Sequence, residues 1–297
     1  MKLLVLITFL FTNIAWASQF DCTPQGEVKW NKISEGVYWT KYDLQFTPYK
    51  NDMRNWNQLQ NRKVTIRAFK VDPSKNKFKF HRPAKSLSCN SFKEKYIEKL
   101  VSDQGLTTLG AINANFFEMP RGNIQGVAID QDKVWNDNFD SQTISSSGVF
   151  GIEEGVIFLD SKDTFIQRFG KIISPEDAKG FSLAIQAYPK LLINQELQIS
   201  DNVQNAKRAR TSIGVSEDGH DVMLVTIDAH QETSQTGMTL FEYAHLLKTE
   251  KCGVPQKTAL NLDGGGSSAF AIPSINLFEQ ADSCRKLGNI LTIHPIN

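Results

Sequence analysis

Ser212-Ile213-Gly214-Val215-Ser216-Glu217-Asp218-Gly219-His220-Asp221-Val222-Met223-Leu224-Val225-Thr226-Ile227 is the stretch that decides the fold class. Two apolar, β-branched runs flank Glu217-Asp218-Gly219, a turn signal ending in the residue that best tolerates a positive φ. The same pattern recurs. Val149-Phe150-Gly151-Ile152 returns through Glu153-Glu154-Gly155 as Val156-Ile157-Phe158-Leu159, and Gly126-Val127-Ala128-Ile129-Asp130 turns at Gln131-Asp132 into Lys133-Val134-Trp135. Val64-Thr65-Ile66-Arg67-Ala68-Phe69 and Lys77-Phe78-Lys79-Phe80 alternate with period two, with Asp72-Pro73 and Lys75-Asn76 as turn signals between them. Many hairpins and few helices exclude a doubly wound parallel sheet. The expected fold is α+β, with mixed, mainly antiparallel β-sheets and a few flanking helices.

Two helices are expected. Ser91 and Glu94 form a capping box ahead of Tyr96, Ile97, Leu100 and Val101, with Gly105 as the stop. Thr239 and Glu242 form another, followed by the stripe Leu240, Tyr243, Ala244 and Leu247 and ended by Gly253 and Pro255. Residues 18–62 are polar and weakly periodic, with some strand expected around Gly36-Val37-Tyr38-Trp39-Thr40.

The first residues stand apart. Met1-Lys2, the apolar Leu3 to Ile14, and Ala15-Trp16-Ala17 have the layout of a signal peptide and its cleavage site, with a mature start near Ser18. The apolar run falls short of the roughly 20 residues of a membrane span. The expectation is an exported chain, periplasmic or secreted, without a membrane span. Its parts are residues 1–17, an N-terminal segment 18–104 packed on or continuous with the rest, and a main domain 105–297. Lys plus Arg (33) balance Asp plus Glu (32), which argues against nucleic acid as the main partner. Cys22, Cys89, Cys252 and Cys284 lack zinc spacing and suit disulfides in an oxidising compartment. Three connectivities are possible, and Cys22–Cys89 with Cys252–Cys284 is the expected one.

Chemistry concentrates in four places. Asn261-Leu262-Asp263-Gly264-Gly265-Gly266-Ser267-Ser268 ends a strand on an acid, three glycines and two hydroxyls. Consecutive glycines are expensive to order, so such a loop points to close approach of a ligand, with backbone N–H groups able to cradle an anion. Asn113-Ala114-Asn115-Phe116-Phe117-Glu118 ends another strand on amides suited to hydroxyl-rich ligands. Arg208-Ala209-Arg210-Thr211-Ser212 carries a guanidinium suited to phosphate, with Arg210 the better candidate because it abuts the strand. Asp228-Ala229-His230 closes a strand on an acid and an imidazole. No glycine follows Ser267 or Ser268 at the spacing of a nucleophile elbow, and no Gly-Lys-Ser/Thr follows the glycines, so NTP chemistry is not expected.

Taken in order, Asn113-Ala114-Asn115-Phe116-Phe117, Arg210-Thr211-Ser212-Ile213-Gly214, Gly237-Met238-Thr239-Leu240 and Asn261 to Ser268 resemble the phosphodiester glycosidase domain family over about residues 105–295. The chain departs from that family's pattern at Ala114 and Asn115, at Asp228-Ala229-His230 and at Gln186-Ala187-Tyr188-Pro189-Lys190. The resemblance implies an exported hydrolase that cleaves between a sugar anomeric carbon and a phosphodiester oxygen, with a sugar phosphate or phosphorylated glycan as partner. A departing phosphate monoester needs little protonation, so an anion cradle and one well-placed carboxylate would suffice.

On that basis Gly264, Gly265, Gly266, Ser267 or Ser268, and Arg210 form the phosphate cradle, and Thr211 is a further substrate contact. Asp263 is the first choice for nucleophile or base and Asp228 the second. Asn113, Asn115, Glu118 and His230 complete the substrate contacts. No cofactor is demanded; Asp263, Asp228 and Glu118 could hold a divalent cation only if the fold gathers them. The alternative is a binding protein for phosphorylated or anionic polysaccharide that uses the same cradle without turnover.

Overall fold

The computed structural model describes residues 20–47, 62–82, 96–102, 108–118, 123–131, 133–136, 147–170, 178–200, 206–228, 237–281 and 285–296. Residues 1–19, the expected Ser91–Glu94 capping box, Cys89, Cys284, Ala229 and His230 lie outside the described residues.

The chain begins with β1 (Asp21–Pro24), β2 (Asn31–Ser34), β3 (Val37–Thr47), β4 (Arg62–Val71), β5 (Asn76–His81), α1 (Tyr96–Ser102) and β6 (Gly110–Asn113). There follow β7 (Phe117–Glu118), β8 (Asn123–Ile124), β9 (Ala128–Asp130), β10 (Lys133–Asn136), β11 (Gly148–Glu153), β12 (Val156–Ser161) and α2 (Lys162–Phe169). The last part holds β13 (Phe181–Ala187), β14 (Lys190–Ile193), β15 (Glu196–Leu197), β16 (Arg210–Ser216), β17 (Val222–Ile227) and α3 (Leu240–Lys248). It ends in β18 (Gln256–Asn261), β19 (Ala269–Ile272), β20 (Leu277–Gln280) and β21 (Ile290–Pro295).

Among the described residues these strands make a nine-stranded sheet, β1-β3-β4-β17-β16-β18-β14-β15 with β2 on β3, and two five-stranded sheets. The latter run β10-β9-β13-β11-β12 and β20-β19-β6-β21-β5, with β7 and β8 as a separate pair. The three hairpins expected from turn signals form, β9–β10 with a register shift between Val134 and Asn136, and the architecture is mainly antiparallel with few helices.

All three large sheets turn one face to a shared core. Phe69, Ile213 and Leu224 come from the first sheet, Phe150 and Leu183 from the second, Phe270 and Leu291 from the third. Each outer face is covered by a helix: Tyr243 and Leu247 of α3, Phe165 of α2, and Ile97 and Val101 of α1. The α3 capping box forms as expected, with Thr239 N donating to Glu242 Oε2 at 2.9 Å and Glu242 N to Thr239 Oγ1 at 3.2 Å. Tyr243 then anchors the helix under the sheet, its hydroxyl donating to Val225 O at 2.8 Å and lying 2.8 Å from Ser212 Oγ.

Three findings differ from the sequence expectation. β4 and β5 do not pair; β4 lies between β3 and β17, buried from Val64 to Phe69 on both faces, and β5 edges the other sheet beside β21. The segment before residue 62 is more regular than expected, because β3 runs eleven residues along β4. Finally, Cys22 is disulfide-bonded to Cys252, not to Cys89, so the expected Cys22–Cys89 and Cys252–Cys284 set is incorrect. β1 lies beside the turn Glu250–Cys252 that follows α3, which brings the two Cα atoms to 5.6 Å, within bridging range. An ion pair between Asp21 and Lys251 and a hydrogen bond from Tyr42 to the Cys252 carbonyl close the same corner.

Candidate active site

Several strands end together at one edge of the core, and the chemically loaded segments lie there. β18 leaves the nine-stranded sheet at Asn261 and crosses toward the end of β6. Leu262 N donates to Thr211 O at 2.8 Å, and Asp263 N to Ala114 O at 3.2 Å. Asn113, 1% exposed, fixes the crossing. Its Nδ2 donates to Asp263 O at 2.6 Å, while its Oδ1 accepts from Thr211 Oγ1 at 2.9 Å and from Ala269 N at 3.0 Å. Thr211 Oγ1 also lies 3.2 Å from Ser268 Oγ. One buried amide therefore ties together β6, β16 and both ends of the glycine loop.

Asp263 is partly buried at this junction. Loss of hydration pushes its carboxyl above the ordinary aspartate value of 3.8. The nearby Ser267 hydroxyl, the Gly264 N–H and the charge of Arg285 oppose that rise. Ser267 Oγ is buried and makes no hydrogen bond of regular geometry, yet it is close enough to favour the carboxylate.

The glycine loop folds as a short 3-10 turn over Gly265–Ser267. Its N–H groups are largely engaged. Gly264 N donates to Asp263 Oδ1 at 2.9 Å, Gly265 N to Ala209 O at 2.8 Å, Ser267 N to Gly264 O at 3.2 Å and Ser268 N to Gly265 O at 3.1 Å. The glycines serve close packing and backbone conformation: a Cβ on Gly264 would lie 3.0 Å from Ala209 O, and Gly265 has φ +61°. The loop seats the acid more than it presents a row of vacant donors.

A polar row caps the core beside it. Thr211, Thr226, Arg67 and Lys41 are register partners across β16, β17, β4 and β3, so their side chains emerge on one face. Two residues deeper, Ile213, Leu224, Phe69 and Trp39 form the next layer, and Phe69 stacks on Phe270 with ring centroids 4.3 Å apart. Arg67 is 8% exposed and bridges two acids. Nη2 donates to Asp228 Oδ2 at 3.1 Å, and Nε donates to Glu279. Lys41 adds a second bond to Glu279 at 2.8 Å, and Asp228 Oδ1 accepts from Thr65 N at 3.0 Å. Both Asp228 oxygens are thus held by the protein, whereas Asp263 has one oxygen in a bond only to the adjacent residue's N–H.

The other candidates are dispersed. Arg210 turns to the α3 side, where Nε donates to Met238 O at 2.9 Å and Nη2 to Ala206 O at 2.6 Å; burial pushes its guanidinium down to about 10. Asn115 binds different neighbours from Asn113, donating to Val127 O at 3.2 Å and Gln186 O at 3.0 Å. Glu118 is exposed on β7, and no group of metal-ligating acids, histidines or cysteines forms among the described residues. Asp263, Asp228 and Glu118 are therefore not gathered into one cation cage.

Four contributors went unread in the sequence. Arg67, Glu279, Arg285 and Asn289 come from outside the loaded segments; sheet register brings in the first two, and the segment leading into β21 brings in the others. A period-two strand with an Arg on an otherwise apolar face was the one available signal, at Arg67.

A family profile described as phosphodiester glycosidase matches residues 107–294. Mouse N-acetylglucosamine-1-phosphodiester alpha-N-acetylglucosaminidase is 27% identical over 216 residues, 62% of this chain and 37% of the mouse protein. The chain thus spans well under two thirds of that relative's length. Among solved structures, the zebrafish N-acetylglucosamine-1-phosphodiester alpha-N-acetylglucosaminidase catalytic domain, auto-inhibited by its pro-peptide, is similar in fold. Its TM-score is 0.62 at 20% identity, over 93% of this chain and 88% of that one. A hypothetical protein from Synechocystis gives 0.55 at 14% identity, over 91% and 64%. The profile covers well over half of the chain and contains Asn113, Asp228 and the whole glycine loop. This chain belongs to the phosphodiester glycosidase family.

Proposed function

We propose that the protein is an exported hydrolase that breaks the bond between a sugar anomeric carbon and a phosphodiester oxygen, with Asp263 as the reacting carboxylate. The observation that carries this is the setting of Asp263: a desolvated acid, placed by Asn113 where two sheets meet, beside a half-buried glycine loop. Desolvation strengthens a carboxylate as a base and lets it hold a proton at higher pH, both useful for shuttling a proton between water and a departing phosphate. Asp228, fully occupied by Arg67 and Thr65, acts as fixed negative charge toward a developing oxocarbenium ion. The buried Thr226 Oγ1, which has no hydrogen-bond partner among the described residues and shares the row of Thr211 and Arg67, is a group available to a substrate hydroxyl.

The Cys22–Cys252 disulfide favours an oxidising compartment, in keeping with the leader-like Met1 to Ala17 and with export to the periplasm or beyond. The substrate class is a sugar-1-phosphodiester within a glycan or envelope polymer.

The test is product release from a panel of sugar-1-phosphodiesters by the mature chain and by Asp263→Asn. Turnover by the first, reduced at least a hundredfold in the second, supports the reading. Tight binding of the panel without release by either would make the protein a phosphoglycan-binding module instead.

A further inference from the structure

We infer that Arg285 receives the substrate's phosphate, the role that sequence assigns to Arg210; the inference rests on the phosphodiester glycosidase reading. Arg210 is spoken for. The residue is 6% exposed, and its guanidinium is bonded to two main-chain carbonyls on the far side of β16. A phosphate-binding cation has to come from elsewhere on the rim.

The segment Arg285–Asn289 supplies it. At one end Gln280 Nε2 donates to Arg285 O at 2.7 Å, and the adjacent Ala281 N donates to Ser268 O at 2.9 Å. At the other end Asn289 exchanges two bonds with the main chain of Asn115: Asn115 N donates to its Oδ1 at 2.8 Å and its Nδ2 donates to Asn115 O at 3.2 Å. Between them Gly288 fits against Phe117, where a Cβ would come within 2.2 Å of the ring. Asn115 follows Ala114, whose carbonyl holds Asp263 N, and Gln280 precedes Ala281, whose N–H holds Ser268 O, so the segment runs along the rim of the Asp263 seat.

From this pinned backbone the Arg285 side chain stands exposed, with no hydrogen bond or ion pair among the described residues. Its charge reaches Asp263, where it favours the ionised form. Arg208, also exposed, exerts its charge on Arg210 instead. A guanidinium on a long arm, anchored at the rim and unpaired, can fork onto two phosphate oxygens and neutralise them beside a carboxylate that would otherwise repel them. The chemical class recognised is a phosphate mono- or diester attached to a sugar.

The experiment measures binding of glucose 1-phosphate and inorganic phosphate by calorimetry and phosphorus NMR, beside turnover of the sugar-1-phosphodiester panel. Wild type, Arg285→Gln and Arg285→Lys are compared, with thermal unfolding as a folding check. Arg285→Gln is expected to weaken glucose 1-phosphate binding and raise KM at least tenfold, with Arg285→Lys in between. Unchanged binding and KM in Arg285→Gln overturn the inference even if wild type turns over the panel. Arg285-dependent binding without any turnover sustains the anion site and overturns the hydrolase reading. Neither binding nor turnover by wild type removes both.

Discussion

Asn113 Nδ2 donates to the Asp263 carbonyl at 2.6 Å across 150 residues of sequence, and this contact sets where the acid stands. Removal of the amide leaves Asp263 O, Thr211 Oγ1 and Ala269 N without their shared partner, itself buried. Asn113→Ala should destabilise the fold by about 2–4 kcal/mol, since each stranded buried group costs roughly 1–3 kcal/mol. Urea denaturation checks this, and a loss under about 0.5 kcal/mol would mean that the hub is dispensable.

Asp263 titrates above its ordinary value of 3.8, so the folded state holds its proton more tightly than the unfolded state. Its contribution to stability therefore falls as pH rises from 3.8 through the raised value and stays low above it. Asp263→Asn should melt higher than wild type at pH 7, by an amount that shrinks to nothing below pH 3.8. Melting curves between pH 3 and 8 decide it; parallel curves for the two proteins would contradict a desolvated acid.

Arg67 carries a different liability. Its truncation removes the cation that bridges Asp228 and Glu279, and leaves Lys41 on Glu279. Breaking such a buried pair costs about 3–5 kcal/mol. Arg67→Met should lose that much stability, while Arg67→Met with Glu279→Gln should recover part of it. A double-mutant cycle by chemical denaturation reads the coupling, and strict additivity would contradict it.

Cysteine pairing has a direct chemical check. Proteolysis without reductant should yield a linked peptide pair containing Cys22 and Cys252. Cys22→Ser with Cys252→Ser should lower stability by about 2–5 kcal/mol, the usual range for a native bridge that closes a long loop. A Cys22–Cys89 peptide would contradict the structure.

The hairpins and the Thr239 cap were legible because each is a local event, written in turn residues and spacing that act over fewer than about twenty residues. The position of β4 was not legible. Val64 to Phe69 reads as an ordinary alternating strand, and nothing local says that β17, some 150 residues on, lies beside it. The site divides along the same line. Asp263, Asn113 and Thr211 sit in segments whose composition announces them, while Glu279 and Arg285 sit in plain sequence and acquire meaning only from tertiary placement. Arg210 misled for a related reason: side chains alternate along a strand, so a position beside Thr211 faces away from what Thr211 touches.

β21 lies between β6 and β5, pairing Ile290 with Asn113 on one side and with His81 on the other. The strand that bears Asn113 therefore gains its second neighbour only when residues 290–295 arrive. Until that last strand docks, the buried amide that seats Asp263 is braced from one side only, so the site is set by the latest-arriving part of the sheet.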